Sequence, residues 1–162
     1  SHGDLIATKE YSLETIHTPG HASNHLCFYL EKHKCLLTGD HIMDGSTVVI
    51  APPDGNMTEY INSLKLLEDY DIDYFAPGHG NYMEEPSKTI QSIIRHRLSR
   101  ESKVLRCVNK NKNSNLDELL PLVYDDVPEM LHPIAMMSLL AHLIKLQDEE
   151  KIKSVENRYS SS

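Results

Sequence analysis

The sequence predicts an α/β (α+β) chain, with a strand-rich first part, a long helix and a small helical last part. Three observations predict this class. Short apolar runs in the first half stop at turns that carry His or Asp. Apolar residues recur at helical spacing from Pro86 onward. Two short helices then precede the alternating stretch 149–155, and this order is the outline of a winged helix.

Five short runs in the first half are predicted to be strands. They are residues 12–17, 25–31, 35–38, 47–51 and 73–76. The second and third form a hairpin around the turn at 31–34. Between the last two runs, the spacing of Tyr60, Ile61, Leu64 and Leu67 predicts a helix from Met57 to about Asp69. This arrangement is typical of a site built on loops at the edge of a rigid sheet.

The second half is predicted to be helical. A long helix begins at Pro86 and carries an apolar stripe to Val108. The next predicted helix begins after Asn115, with Glu118 three residues later as in a capping box, and another begins near Pro133.

A stretch without apolar residues, 109–115, separates the predicted domains. We expect a sheet domain with its long helix over residues 1–110, a winged-helix-like domain over 111–158, and a tail over 159–162.

The composition is that of an ordinary globular protein. The 162 residues carry 16 Lys and Arg against 24 Asp and Glu, a net charge of −8, and no apolar run is long enough to span a membrane. Three cysteines without a CxxC pair predict free thiols and a reducing compartment. We therefore expect an intracellular protein of the cytoplasm or mitochondrial matrix, not a secreted one. Because Ser1 is no initiator Met, we do not expect it to be the natural start.

The positive charge is concentrated in one segment. Residues 95–112 carry seven Lys and Arg and one Glu, a net charge of 7 − 1 = +6. Arg97, Arg100 and Lys103 are the candidate contacts for the phosphates of a nucleic acid. The alternative is a solvated helix face that pairs with the acidic residues 1–94, and charge alone favours that alternative.

Histidine and aspartate at strand ends indicate a metal site. Ten histidines are present; His21 follows Pro19-Gly20, and His79 lies between glycines in Pro77-Gly78-His79-Gly80. Asp40 follows a strand-like run that ends at Gly39. Imidazole and carboxylate groups are ligands for zinc, iron or manganese, so His21, Asp40 and His79 are the candidate metal ligands.

These motifs resemble a known family. HTPGH (17–21), TGDH (38–41) and APGHG (76–80) are similar to the later motifs of the metallo-β-lactamase fold, an αββα sandwich of hydrolases. APPDGNMTEYINSL (51–64) and HRLSRE (96–101), followed by a small helical domain, resemble the β-lactamase-like protein 2 branch. The resemblance implies the C-terminal half of the sandwich followed by a winged helix. In that related wing a tight Gly turn usually stands where this chain has Glu150.

The resemblance also implies a two-zinc site, which this chain only partly contains. His21 would be a ligand of one zinc ion, Asp40 would bridge two, and His79 would be a ligand of the second. The family's opening motif, HxHxDH, does not occur in these residues. We therefore expect an incomplete zinc site, an exposed inner sheet face that self-associates or binds the missing N-terminal half, and no catalytic activity in this chain alone. The sequence assigns no catalytic residue.

The branch implies a function for the complete enzyme: metal-dependent cleavage of phosphodiesters in single-stranded RNA, an endoribonuclease activity. RNA is accordingly the candidate partner, and no membrane partner is expected. Two alternatives remain open. One is a thioester hydrolase of the glyoxalase II type, and the other is a non-catalytic binding or assembly module from a truncated gene product.

Overall fold

The computed structural model describes residues 1–162 and divides them into two compact units. One consists of residues 1–48 and 54–94, and the other of 49–53 and 95–162. The strands are β1 Leu5–Ala7, β2 Ser12–His17, β3 Leu26–Leu30, β4 Cys35–Gly39, β5 Tyr74–Pro77, β6 Met83–Glu84, β7 Ile152–Val155 and β8 Arg158–Ser161. The α-helices are α1 Met57–Leu66, α2 Pro86–Lys110, α3 Leu116–Val123 and α4 His132–Asp148. None of these helices combines the length and the apolar character that a membrane-spanning helix requires.

The first unit contains one six-stranded sheet in the order β1 to β6. All neighbours are antiparallel except β4 and β5, which are parallel because the chain between them crosses over through α1. The predicted hairpin is confirmed: β3 and β4 flank a short 3-10 turn at Glu31–His33. Parallel pairing brings the carboxyl ends of β4 and β5 to the same edge of the sheet.

The predicted strand at 47–51 is wrong. This segment has no regular structure, although alternation buries Val48 and Ile50, which are 4% and 0% exposed. The sequence pattern therefore predicted correctly which side chains are buried, although the segment is not a strand. The helix after it begins as predicted, at Met57, where the Asn56 side chain accepts a hydrogen bond from the Glu59 backbone N–H.

The second unit combines the C-terminal part of α2 with α3, α4 and the β7–β8 ribbon. The capping box predicted at Asn115 and Glu118 is present. The core of the unit consists of buried apolar side chains from all these elements: Val104, Val108, Leu119, Leu120, Val123, Tyr124, Leu139, Leu143, Leu146, Ile152 and Tyr159. The predicted order of two helices and a ribbon is therefore confirmed.

The ribbon differs from the prediction at its turn and at its end. The tight turn is formed by Glu156 and Asn157, both with positive φ, while Glu150 (φ 58°) follows the end of α4. Strand β8 reaches Ser161, so the residues expected to be a tail pair with β7. Sequence alternation marked the first strand of the ribbon, but Arg158–Ser161 has too few apolar residues to show the second.

A buried ionic cluster lies between α2 and α4 in this unit. The Nζ of Lys145 is 2.9 Å from both carboxylate oxygens of Glu101, and the Nδ1 of His142 is 3.8 Å from one of them. His142 is completely buried, and burial lowers its pKa although Glu101 acts in the opposite direction. The neutral imidazole is thus the form that the folded chain favours.

Candidate active site

Asp40 and His79 come together at the end of the parallel strand pair. Gly39 is in register with Pro77, and the N–H of Gly78 donates to the Gly39 carbonyl at 2.9 Å. Each following turn projects one polar side chain, and His79 Nε2 lies 3.5 Å from Asp40 Oδ1. A Cβ on Gly78 would lie 3.1 Å from that oxygen, so glycine leaves room for the carboxylate.

His21 lies on a separate turn that is fixed by many contacts. Ser63 Oγ donates to the Pro19 carbonyl at 2.8 Å, and the Asn56 N–H donates to the Gly20 carbonyl at 2.8 Å. His21 is close enough to His25 to lower the pKa of that imidazole electrostatically, second to the effect of burial. The turn is therefore rigid, and it presents His21 near other histidines.

Two further histidines, His25 and His41, line the same region, and both are at least partly buried. His25 Nδ1 is 2.9 Å from Thr18 Oγ1, and its ring centroid is 5.6 Å from that of His41. His41 is completely buried and packs edge-on against the ring of Tyr60, 4.9 Å between centroids. Burial, reinforced by His25 and His21, lowers the pKa of His41 to about 3, so this imidazole is neutral at physiological pH.

The structure adds two residues that sequence reasoning missed. Asp44 Oδ2 accepts hydrogen bonds from the backbone N–H and the side-chain amide of Asn81, at 3.2 and 3.1 Å. These bonds join the turn that carries Asp40 to the turn that carries His79. The Asp44-Gly45 pair marks a turn in the sequence, but nothing in the sequence shows that its carboxylate meets Asn81.

The donor set does not make a complete metal site within one chain. No group of three His, Cys, Asp or Glu side chains is arranged to hold a metal ion. Asp40 and His79 are adjacent, but a zinc ion takes at least three protein ligands. The arrangement can present two donor side chains to a cation that other groups complete.

The three candidate phosphate contacts are engaged within their own unit. Arg100 makes two bonds to the Asp126 carboxylate, at 2.7 and 2.9 Å, and donates to the Val123 carbonyl. Lys103 pairs with Asp125, and Arg97 is only 4% exposed. The carboxylates that pair with Arg100 and Lys103 thus lie beside α3 and not in the acidic segment 1–94.

Comparison with known proteins gives the family. Residues 2–79 match the metallo-beta-lactamase superfamily, and residues 116–159 match the beta-lactamase associated winged helix domain. The chain carries a metallo-beta-lactamase superfamily domain with its associated winged helix. Members of this superfamily generally bind metal ions such as zinc or iron.

Individual relatives agree with this family. A beta-lactamase-like protein 2 homolog from Drosophila melanogaster is 32% identical over 155 residues, 94% of this chain and 51% of the relative. An atrochrysone carboxyl ACP thioesterase from Aspergillus chevalieri is 25% identical over 158 residues, 93% of this chain and 50% of the relative. The chain therefore spans about half the length of the curated relatives it matches.

The fold agrees as well. The crystal structure of a metallo-beta-lactamase family protein from Thermus thermophilus superposes with a TM-score of 0.87 at 21% identity. The superposition covers 100% of this chain and 53% of that protein. The predicted fold class, a sheet domain of the metallo-β-lactamase fold followed by a winged helix, is confirmed.

Proposed function

We propose that this chain is the part of a metal-dependent hydrolase that supplies His21, Asp40 and His79, and that donors from outside the chain complete the site. The observation that carries this proposal is the meeting of Asp40 and His79 at the carboxyl ends of two parallel strands, beside glycines that admit a close group. In α/β sheets this edge is where ligands commonly bind. His21 stands on a turn that the chain fixes rigidly.

For the substrate we propose phosphodiesters of single-stranded RNA. Support comes from the resemblance to the β-lactamase-like protein 2 branch, which the similarity to the Drosophila relative strengthens. Within the basic segment, Arg106, Lys110 and Lys112 are exposed, whereas Arg100 and Lys103 are paired with Asp126 and Asp125. The exposed cations are the better candidates for phosphate contacts.

A thioester substrate is the second candidate. The similarity to a protein described as an acyl-carrier-protein thioesterase favours it. Both substrates present a polarised centre with oxygen or sulfur leaving groups, so the Asp40–His79 pair does not distinguish them. The response to salt does, because RNA binding through lysine and arginine weakens steeply with ionic strength and thioester hydrolysis has no such requirement.

The first experiment measures this chain alone and then joined to the N-terminal half of the Drosophila relative. We expect no RNA cleavage and no tightly bound metal in the chain alone, and metal-dependent cleavage in the joined protein. Asp40→Ala should remove most of that activity, and Asp73→Ala, an exposed carboxylate outside the site, is the matched control. Cleavage by the chain alone would contradict the incomplete site, and hydrolysis of acyl thioesters without RNA cleavage would select the second candidate.

The second experiment tests the cations in that joined protein. Arg106→Gln with Lys110→Gln should weaken RNA binding and reduce the slope of log affinity against log salt by about 1 to 2, since each lost phosphate contact reduces the slope by somewhat less than 1. Lys103→Gln is the control, because its ammonium is already paired. An unchanged slope in the double variant would refute the phosphate contacts.

A further inference from the structure

The turn that carries Asp40 is anchored in the core of the first unit. The Tyr60 hydroxyl in α1 donates to the His41 carbonyl at 3.0 Å, and Ile42 is only 1% exposed. Asp44 lies two residues further along the chain, and its side chain is exposed. The segment from Asp40 to Asp44 is therefore a fixed support against which a neighbouring turn can be held.

The turn that carries His79 has less support of its own. The His79 side chain is 76% exposed, and the glycine on each side of it gives the backbone little stiffness. Before His79, the Gly78 N–H donates to the Gly39 carbonyl at 2.9 Å. The orientation of the imidazole therefore depends on the contacts that the chain makes just after it, at Gly80 and Asn81.

Asp44 makes those contacts. A single carboxylate oxygen, Oδ2, accepts both the backbone N–H and the side-chain amide of Asn81, at 3.2 and 3.1 Å. Gly80 packs against the same side chain: its φ is +95°, and a Cβ there would lie 2.5 Å from Asp44 Cβ. Hydrogen bonds and close packing thus act together on the two residues that follow His79.

We propose that Asp44 is a positioning residue that, through Asn81, holds His79 in place beside Asp40. The proposal rests on the proposed hydrolase function, because it concerns the same pair of metal ligands. Residues that orient a metal ligand change the affinity without touching the ion, and their loss weakens metal binding by about 10- to 100-fold. Asp44 acts on His79 through the backbone of the turn, so we expect an effect at the lower end, about tenfold.

Three variants separate the hydrogen bonds of Asp44 from its charge. Asp44→Ala removes the acceptor. Asp44→Asn removes the negative charge but keeps a carbonyl oxygen, which can accept both bonds as Oδ2 does. Asp71→Ala is the matched control: it removes an exposed aspartate that pairs with Lys34 where β4 and β5 begin, at the opposite end of these strands from the site. Circular dichroism checks that all three variants fold.

The first measurement uses the 162-residue chain without metal. Backbone order parameters from ¹⁵N relaxation report how firmly residues 78–81 are held. We expect values of about 0.85 in the unsubstituted chain, in Asp44→Asn and in Asp71→Ala, and values below about 0.6 in Asp44→Ala. The second measurement is the zinc affinity of the joined protein, by competition with a chelator. Asp44→Ala should weaken zinc binding about tenfold, and Asp44→Asn should restore it.

Three results would overturn the proposal. The first is an Asp44→Ala chain in which the order parameters of residues 78–81 do not fall, and the second is an Asp44→Ala joined protein that binds zinc as tightly as before. The third is an Asp44→Asn variant that behaves like Asp44→Ala, because the charge and not the hydrogen bonds would then be what matters. If the unsubstituted joined protein binds no zinc, the proposed function fails instead, and the order parameters still decide whether Asp44 holds the turn.

Discussion

Gly20 in the HTPGH turn is a position where a single methyl group should have a large effect. Its φ is +136°, a conformation that L residues rarely adopt, and a Cβ there would lie 2.3 Å from Tyr60 Cα and 2.4 Å from Tyr60 N. Those atoms belong to the backbone of α1, which cannot rotate away as a side chain could. Gly20→Ala must therefore displace either the helix or the turn that carries His21.

The magnitude follows from two terms. An alanine in a backbone region that favours glycine costs about 1–3 kcal/mol, and forcing a methyl into a filled space costs about 1–3 kcal/mol more. The smaller entropy of the unfolded alanine chain offsets about 0.5 kcal/mol. We expect a loss of about 1.5–5.5 kcal/mol in the free energy of unfolding, which at a urea m value of about 2 kcal/mol per M lowers the unfolding midpoint by about 1–3 M.

Gly45→Ala is the matched control for this prediction. Gly45 has φ +73°, but nothing lies within 4 Å of its Cβ position, so only the backbone term of about 1 kcal/mol applies. Urea unfolding followed by circular dichroism measures both variants, since the chain has no Trp. Equal midpoints for the two variants would show that the turn does not press against α1 as described.

Three further predictions concern the second unit. Arg100→Gln removes the ion pair with Asp126 and the hydrogen bond to the Val123 carbonyl, and should reduce the free energy of unfolding by about 1–2 kcal/mol. Urea unfolding midpoints measure this loss, and an unchanged midpoint would show that these contacts do not stabilise the fold. Burial lowers the pKa of His142 below its unfolded value of about 6.5. The neutral imidazole therefore contributes fully to the free energy of unfolding above pH 7, and this contribution should decrease as the pH falls below 6.5. His142→Gln should flatten that decline, and an unaltered pH profile in the variant would refute the role of this imidazole. Glu150→Gly should raise stability by about 0.5–1 kcal/mol because glycine accepts its φ of 58° without strain; a lower melting temperature would contradict this.

The sequence by itself determined the secondary structure where one-dimensional signals are strong. Helical spacing and an Asn cap placed α3 after Asn115, and Pro86 marked the start of α2. The motifs that end at Asp40 and His79 indicated which side chains stand at the sheet edge, because glycine and proline stop a strand wherever it folds. Family membership was likewise readable, since it depends on the order of such motifs.

Tertiary structure decided which of these residues meet. Only the parallel register of β4 and β5 brings Asp40 within 3.5 Å of His79, and only the folded chain pairs Arg100 with a carboxylate 26 residues away. The alternation at 47–51 is equally compatible with a strand or a buried loop, because burial and not hydrogen bonding is what hydrophobic patterning records. Pairing depends on which neighbour comes within hydrogen-bond distance, a three-dimensional quantity that no local pattern contains.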